Sequence, residues 1–512
     1  MTTKLYGELD DQILSGNFHQ ATDAFCRLAR AGEDMAGLVT HVMNTAAPYL
    51  HVPAHEKLLP NGEFRNVNYD HTILGLRAGM RLAANLPENE RHLGIVQGMY
   101  YVPQGLDVWA QLECGFPGHY AREQEKCTEF GNELHCHFDE QEPLVEGSVD
   151  DRFERMLQAL AQGDKVTSYR LFLGLADEPE QRPRLRNTLH FASIVDQQEY
   201  NSYRRVRHIG HKAIRTRAMF DLADWTGWDK ARPFFYVGVP DVCNAPIFHS
   251  LYDHASVLLG TAFKGKQYEL VESNTEPMTE AEQDRFIGLM LEGDPAAVAA
   301  EITVLLQRGR SPQSIADTVM IGHATHCVTR LRAPIGYTVP MHSFDYANIV
   351  TYWLRNYRHP HQAKAVYLSA WFVTDTIHEV DSYPDFPGAV KPDPEARQDW
   401  ADGIAVADLL GELEKAVQAQ DPSSAVALVR SYQSRVTDRE ALIRTLAHCA
   451  GKYQGDAHIF RNATSVIEEY RLNSASPARK EILFQFWAHY LSFYMKRTLA
   501  TDCYDMYHRY LA

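Results

Sequence analysis

The chain has 512 residues, of which 45% are apolar and 23% charged, and a formal net charge of −16. Such a length can bury a large core divided over about two to four domain-sized units. The acidic balance excludes a nucleic-acid binder, which needs clustered Lys and Arg against phosphate; the densest basic run, Arg204-Arg205-Val206-Arg207, reads as a solvated helix face.

In chain order, Met1 to Gly7 runs straight into Glu8, Asp10 and Asp11 without an apolar signal core. Residues 18–48 predict one or two amphipathic helices with Phe25, Leu28, Leu38, Val39, Val42 and Met43 on their apolar faces. Two more helices are expected over 70–86 and 90–112, then an irregular insertion over about 113–150 rich in Gly, Pro, Cys, His and acidic residues. Helical periodicity resumes over 150–178, 183–227, 229–239 and 245–262. It continues over 280–294, 296–309, 312–333, 342–356 and 361–378. Residues 379–399, with Pro384, Pro387, Pro392 and Pro394, predict a long loop, and a last helical block fills 400–510. Phe234 to Val239 is the best strand-like run.

The expected fold is therefore all-α: an irregularly packed helical array around a central cavity, with few or no strands. Its expected parts are an N-terminal segment (1–60), a main catalytic region (61–378), the Pro-rich loop (379–399) and a C-terminal block (400–512) that completes the site. No stretch approaches the roughly 18 uncharged apolar residues of a membrane span. The eight cysteines contain no Cys-x-x-Cys pair, which suggests reduced thiols and a cytoplasmic location. Nucleotide-binding and hydrolase signatures such as Gly-x-Gly-x-x-Gly and Gly-x-Ser-x-Gly are missing, which argues against an α/β fold.

Histidine is unusually frequent, with 24 residues. One arrangement recurs four times, a polar or turn-forming residue followed by a histidine that opens an apolar helix: Asp70-His71, Gly210-His211, Pro340-Met341-His342 and Asp456-Ala457-His458. From His71 the buried stripe passes Leu74, Ala78 and Leu82; from His211 it passes Ile214, Ala218 and Leu222. A histidine in a first turn can be aimed rigidly into a shared space, and imidazole suits iron, zinc, copper or nickel. Helical bundles build metal sites in this way, one ligand from each helix. Each histidine taken singly also fits a hydrogen-bonded core residue. Competing sets are His323 with His326, His208 with His211, and His378 with Glu379; His359, His361, His135 and His137 read as loop residues.

Together the four segments resemble the questin oxidase-like proteins, enzymes that act on aromatic polyketides. The similarity lies in Asn68-x-x-His71 followed by Leu74-Gly75-Leu76, in Gly210-His211-Lys212-Ala213-Ile214-Arg215-Thr216, in Met341-His342-Ser343-Phe344-Asp345 with Asn348 and Leu354-Arg355, and in Asp456-Ala457-His458-Ile459-Phe460-Arg461. The ordered set covers roughly residues 60–490. The resemblance implies an all-helical fold and oxygen-dependent oxidation or ring cleavage of polycyclic aromatics. It also implies a non-haem iron on histidines, joined in some members by a carboxylated lysine. Here the chain departs: Arg461 stands in the last motif, and a guanidinium cannot form a carbamate. Lys212 and Lys364 are the conceivable substitutes, and a histidine-only site is the other solution.

The expected function is thus an Fe(II)-dependent mono- or dioxygenase with His71, His211, His342 and His458 as ligands. Its partners are a small aromatic substrate and dioxygen. Arg215, Tyr346 and Trp353 are expected to contact the substrate; Tyr69, Phe344 and Trp371 stand near the same motifs. Two rivals remain open at this point: a metal-free, NADPH- or flavin-assisted Baeyer–Villiger-type oxygenase, and a non-catalytic helical scaffold.

Overall fold

Helix follows helix because apolar residues recur at the helical period and polar residues cap the turns. Asp34 accepts the amide of Gly37, Ser148 that of Asp151 and Asp164 that of Thr167, while Thr279 and Glu282 form a reciprocal capping box. The computed structural model of the protein describes residues 2–47, 55–58, 64–67, 71–103, 141–195, 198–201, 205–208, 210–243, 250–331, 338–381, 391–453, 457–494 and 500–512.

Its helices are α1 (Thr2–Leu14), α2 (Phe18–Arg30), α3 (Met35–Ala46), α4 (His71–Leu82), α5 (Leu93–Tyr101), α6 (Val149–Gln162), α7 (Lys165–Ala176) and α8 (Arg182–Val195). There follow α9 (His211–Thr226), α10 (Arg232–Val242), α11 (Ser250–Phe263), α12 (Leu270–Ser273), α13 (Glu280–Glu292), α14 (Pro295–Gln307), α15 (Pro312–Arg330) and α16 (Thr338–Asn356). The last are α17 (Gln362–Asp381), α18 (Glu395–Asp402), α19 (Leu409–Gln418), α20 (Pro422–Arg435), α21 (Glu440–Lys452), α22 (Ala457–Leu472), α23 (Pro477–Tyr494) and α24 (Asp502–Tyr510). Two antiparallel ribbons complete the list: β1 (His55–Leu58) with β2 (Phe64–Val67), and β3 (Gln198–Asn201) with β4 (Arg205–His208). In register, His55 faces Val67 and Gln198 faces His208.

The all-α expectation holds, with local corrections. Helix α1 lies ahead of the first individually expected helix, within the N-terminal segment (1–60) expected to be helical. The single helix expected over 183–227 is two helices with the β3–β4 ribbon between them, so Arg205 to Arg207 belong to a strand instead of a helix face. Phe234 to Val239, the strand-like run within the helix expected over 229–239, is helical, part of α10, whose second residue is Pro233. Every residue of that run is buried, and a wholly buried helix shows no periodicity that separates it from a strand. The expected 379–399 loop is shortened at both ends by α17 and α18. Most of the expected insertion, 104–140, lies outside the described residues.

At the centre, α4, α9, α16 and α22 pack as a closed ring, α4 on α9, α9 on α16, α16 on α22 and α22 on α4. The four are parallel, which residue pairs at equal offsets from the opening histidines make plain. Asp345 and Arg461, each three residues after its histidine, form an ion pair; Arg217 and Asn348, each six after, are 2.9 Å apart. Parallel neighbours cannot be joined by short loops, so the remaining helices serve as crossovers and outer layers.

Helix α4 is locked from outside by α5 through glycines. Gly75 and Gly79 on α4 lie against Gly98 and Gly94 on α5, and a methyl at Gly79 would overlap the Gly94 carbonyl. Backbones meet directly at such crossings because no Cβ intervenes. We expect Gly79→Ala to lose roughly 1–3 kcal/mol of unfolding free energy through overpacking. Gly288→Ala, on an exposed face with nothing within 4 Å, should instead gain up to about 1 kcal/mol. Urea unfolding followed by circular dichroism measures both.

The C-terminal helix α24 packs on α2 and α5 and is pinned by a charged clasp. Glu90 lies 2.6 Å from His448 Nδ1 and 3.4 Å from His508 Nε2. Burial opposes the charge of His448, but the Glu90 bond outweighs it and the histidine's pKa is raised above 6.5. Burial likewise opposes the charge of Glu90, and the two histidines outweigh it, so its pKa falls below 4.5. The raised histidine stabilises fully below pH 6.5 and loses that contribution as pH climbs through its folded value; the depressed carboxylate loses its share as pH falls through its own. The clasp should therefore be tightest between those two values and should loosen on the alkaline side. Hydrogen exchange of α24 amides at pH 6 and pH 9 checks this; His448→Ala should remove the difference.

Candidate metal centre

Each of the four histidines sits where a helix begins. His71 and His211 are the first residues of α4 and α9, His458 is the second of α22, and His342 lies in the second turn of α16. Side chains on an α-helix lean toward its N-terminus, so imidazoles at these places project past the helix ends into common space. Gly210 sets the entry to α9 with φ of +70°, a left-handed turn that strains any other residue, and a Cβ there would press on the Tyr346 ring.

The Nε2 atoms meet. His71 Nε2 is 3.1 Å from His458 Nε2, His458 Nε2 is 3.3 Å from His342 Nε2, and His342 Nε2 is 2.8 Å from His211 Nε2. The ligand atoms of His71, His211 and His458 all lie within 4.8 Å of one another. Three of the rings are buried and His71 is half-buried. Nitrogens held about 2.0–2.1 Å from one ion at right or tetrahedral angles stand about 2.9–3.4 Å apart. The three successive Nε2 pairs fall close to that spacing, the set whose ligand atoms all lie mutually within 4.8 Å is His71, His211 and His458, and imidazole nitrogen suits a borderline transition metal. The residues fit such an ion. The His71–His211 edge is the widest, with ring centroids 6.0 Å apart against 4.3–4.9 Å for the other three neighbouring pairs.

Behind the histidines runs a buried polar ladder. Asp345 pairs with Arg461, both about 1% exposed, and also accepts from Ser465 at 2.8 Å. Next, Arg217 binds Asn348 and, at 2.6 Å, Glu468; Asn348 donates to Glu469 at 2.8 Å, as does Thr351 at 2.6 Å. Arg355 then joins Glu469 at 2.9 Å and Asp317 at 2.6 Å. Burial and the neighbouring Glu469 raise the pKa of Asp317, although Arg355 opposes them; burial also works on Glu469, but Arg355 and its hydrogen bonds hold its pKa down.

The other expected residues fall into place as follows. Arg215 pairs with buried Asp241. Tyr346 donates to the Ile194 carbonyl at 2.7 Å, and Trp353 Nε1 donates to Asn187 at 2.7 Å while its ring stacks on Phe191. Phe344 packs on Phe486 and Trp371 on His254. These contacts place all five in the protein's packing, and Tyr346 buttresses the Gly210 turn. His323 and His326 do not act together: His323 Nε2 meets Ser343 Oγ at 2.9 Å, and His326 Nε2 meets Asp381 at 2.9 Å. Burial pushes His323 down to about 3. His359 and His361 lie in the expected loop, between α16 and α17, and are half-buried there against Phe191. Lys364 donates to Tyr252 at 3.0 Å, and Arg461 is held by Asp345, so neither joins the quartet; Lys212 is buried beside His211. Tyr69, His135 and His137 lie outside the described residues.

Sequence reading named the histidines but missed the ladder. Its signal was present as matched register: Arg217 and Asn348 each follow their histidine by six residues, and Asp345 and Arg461 by three. Compared with known proteins, the chain matches no protein-family model, no curated protein and no solved structure.

Removing one member of a buried pair leaves an uncompensated charge. Asp345→Leu and Arg461→Leu should therefore each cost about 3–5 kcal/mol, whereas the double variant carrying both should cost clearly less. Chemical denaturation of the two singles and the double closes the cycle, and additive losses would contradict the pairing.

Proposed function

We propose that the protein is a metal-dependent oxygenase, with iron the favoured ion, which oxidises or ring-cleaves a polycyclic aromatic, polyketide-type substrate using dioxygen. The observation that carries this reading is the convergence of His71, His211 and His458, whose ligand atoms lie within 4.8 Å of one another, with His342 Nε2 at 2.8 and 3.3 Å from two of them, all from separate helices. The ordered resemblance to questin oxidase-like proteins supplies the reaction class. Bound iron would supply one-electron chemistry with dioxygen and Lewis acidity.

The chain's own residues define the rest. His71, His211, His342 and His458 would hold the ion and, being uncharged as ligands, leave its charge uncompensated. Four helix N-termini at the same point add positive potential, each equivalent to about half a charge. That end of the bundle therefore favours an anionic guest, as a phenol becomes on losing its proton. The His71–His211 edge is the widest side of the quartet for such a guest. The Asp345–Arg461 pair braces α16 against α22 and so fixes His342 relative to His458. A histidine-only donor set is the reading consistent with Arg461 in its ion pair. Among the described residues no helix is long and apolar enough to cross a membrane, and a cytoplasmic setting with reduced thiols fits this chemistry.

Protein expressed with iron and purified without chelators should carry about one ion per chain and consume dioxygen only when a hydroxylated anthraquinone-type phenol is added. Each His→Ala variant at 71, 211, 342 or 458 should lose both metal and rate by more than the about 10–100-fold that outer-shell changes cost. Metal-free protein with full activity and an NADPH requirement would point to the Baeyer–Villiger-type rival. Folded protein that binds no metal would leave the scaffold.

A further inference from the structure

A second candidate site lies at the opposite end of the same four helices. A pocket of about 340 Å³ opens between their C-terminal halves, lined among others by Arg77, Arg81, Arg217, Tyr352, Ile467 and Arg471. Arg77 and Arg217 form its floor, with 3% and 1% side-chain exposure, while Arg81 and Arg471 stand at the rim, 48% and 43% exposed.

The charges there do not balance. Three of the guanidiniums crowd one oxygen: Asp221 Oδ2 lies 2.9 Å from Arg77 Nε, 3.4 Å from Arg81 Nε and 3.8 Å from Arg217 Nε. Glu468 takes Nη2 of Arg217 at 2.6 Å, and Arg471 reaches only the surface residue Glu440, at 3.4 Å. With Arg471 paired to Glu440, three guanidiniums thus face two inner carboxylates, a local excess of one positive charge in a chain whose net charge is −16. Burial, and then the neighbouring Arg217, lower the pKa of Arg77, while Asp221, though burial opposes it, is held at about 2 by the surrounding arginines. Among the described residues no hydrogen bond engages the terminal nitrogens of Arg77 or Arg81, and Nε of Arg217 is buried without one. One wall is apolar: the Tyr352 ring, with the Arg217 guanidinium 3.8 Å from its centroid, and Ile467.

We infer that this pocket binds a small organic oxyanion, a phosphate or carboxylate group seated among Arg77, Arg81 and Arg217 with its carbon body on Tyr352 and Ile467. Guanidinium forks match both groups through paired charge-assisted bonds. The site is separate from the histidine quartet. Its floor arginines follow His71 and His211 by six residues, a rise of about 9 Å along the helix, so a guest there would not touch an ion held by the four imidazoles. It is an effector or second-ligand site, and it stands whether or not the oxygenase reading does.

The test is isothermal titration calorimetry of phenyl phosphate and benzoate against the full chain. Inorganic phosphate and phenol serve as the separate halves. The titration is run on the natural protein and on His458→Ala, so that the quartet cannot be the acceptor. Arg81→Gln and Arg471→Gln, at the exposed rim, test the location without disturbing the floor, with circular dichroism confirming the fold. One equivalent of phenyl phosphate or benzoate should bind both proteins alike, and whichever binds more tightly identifies the anion class. Each rim variant should weaken binding about tenfold, and phenol should not bind. No saturable binding, binding unchanged by both rim variants, or binding lost with His458 would each overturn the site. Inorganic phosphate binding as tightly as phenyl phosphate would overturn the organic part of the assignment.

Discussion

Four helices that run parallel bring four N-termini to one place, and like poles repel. Each end carries about half a positive charge in its unsatisfied amides, so the arrangement persists only if something electron-rich occupies the meeting point. The imidazole lone pairs do this from within the chain: His71, His211, His342 and His458 turn their Nε2 atoms inward, 2.8–3.3 Å between successive partners. Nitrogen lone pairs so placed repel one another in turn unless protons or a cation lie between them. The helix ends favour negative charge, the ring nitrogens favour a cation, and an ion that also accepts an anionic guest satisfies both.

The polar ladder holds this geometry in register. Apolar packing is forgiving of a small slide along a helix axis, whereas an ion pair between Asp345 and Arg461 is not. Replacing buried pairs by hydrocarbon is often neutral or stabilising elsewhere, so the ladder is better understood as a device that fixes position than as a source of stability. Its rungs tie α16 to α22, α9 to α16 and α22, and through Asp317 the bundle to α15. Helix α4 is fixed differently, by backbone contact with α5 at Gly75, Gly79, Gly94 and Gly98. Both mechanisms set the axial position of a histidine, and a metal site tolerates little error in that position.

How much of this was legible in the sequence depends on the range of the interaction. The helices mostly were, because periodicity is local: the starts expected near 280, 296 and 312 fall on Glu280, Pro295 and Pro312, whereas the break at Gly163 and Asp164 inside the expected 150–178 helix was missed. The histidine quartet was legible as a repeated local pattern, although nothing in the sequence measured the distance from His71 to His458. The β3–β4 ribbon was hidden because Arg205 to Arg207 looks like any charged helix face. Helix α10 was expected over 229–239, yet its Phe234 to Val239 stretch also read as strand-like because full burial erases amphipathicity. Arg215, Tyr346 and Trp353 were chosen for proximity to a histidine along the chain, yet their partners Asp241, Ile194 and Asn187 are brought to them only by tertiary packing.

The two ends of the bundle follow from one polarity. Carbonyl ends attract cations, which gives Arg81 and Arg471 a reason to stand in the C-terminal turns of α4 and α22. That attraction is satisfied near the last turn and does not reach the interior, where Arg77 and Arg217 occupy the middle of their helices and pair with Asp221 and Glu468, Arg217 also with Asn348. Dipole compensation therefore explains the rim arginines and leaves the floor arginines unexplained. A buried guanidinium costs several kcal/mol to desolvate, and Arg77 and Arg217 share their two carboxylates with a third guanidinium, Arg81, which leaves one positive charge over. A bound anion supplies the missing charge, so the pocket reads as a site and not as the mere tail of the bundle.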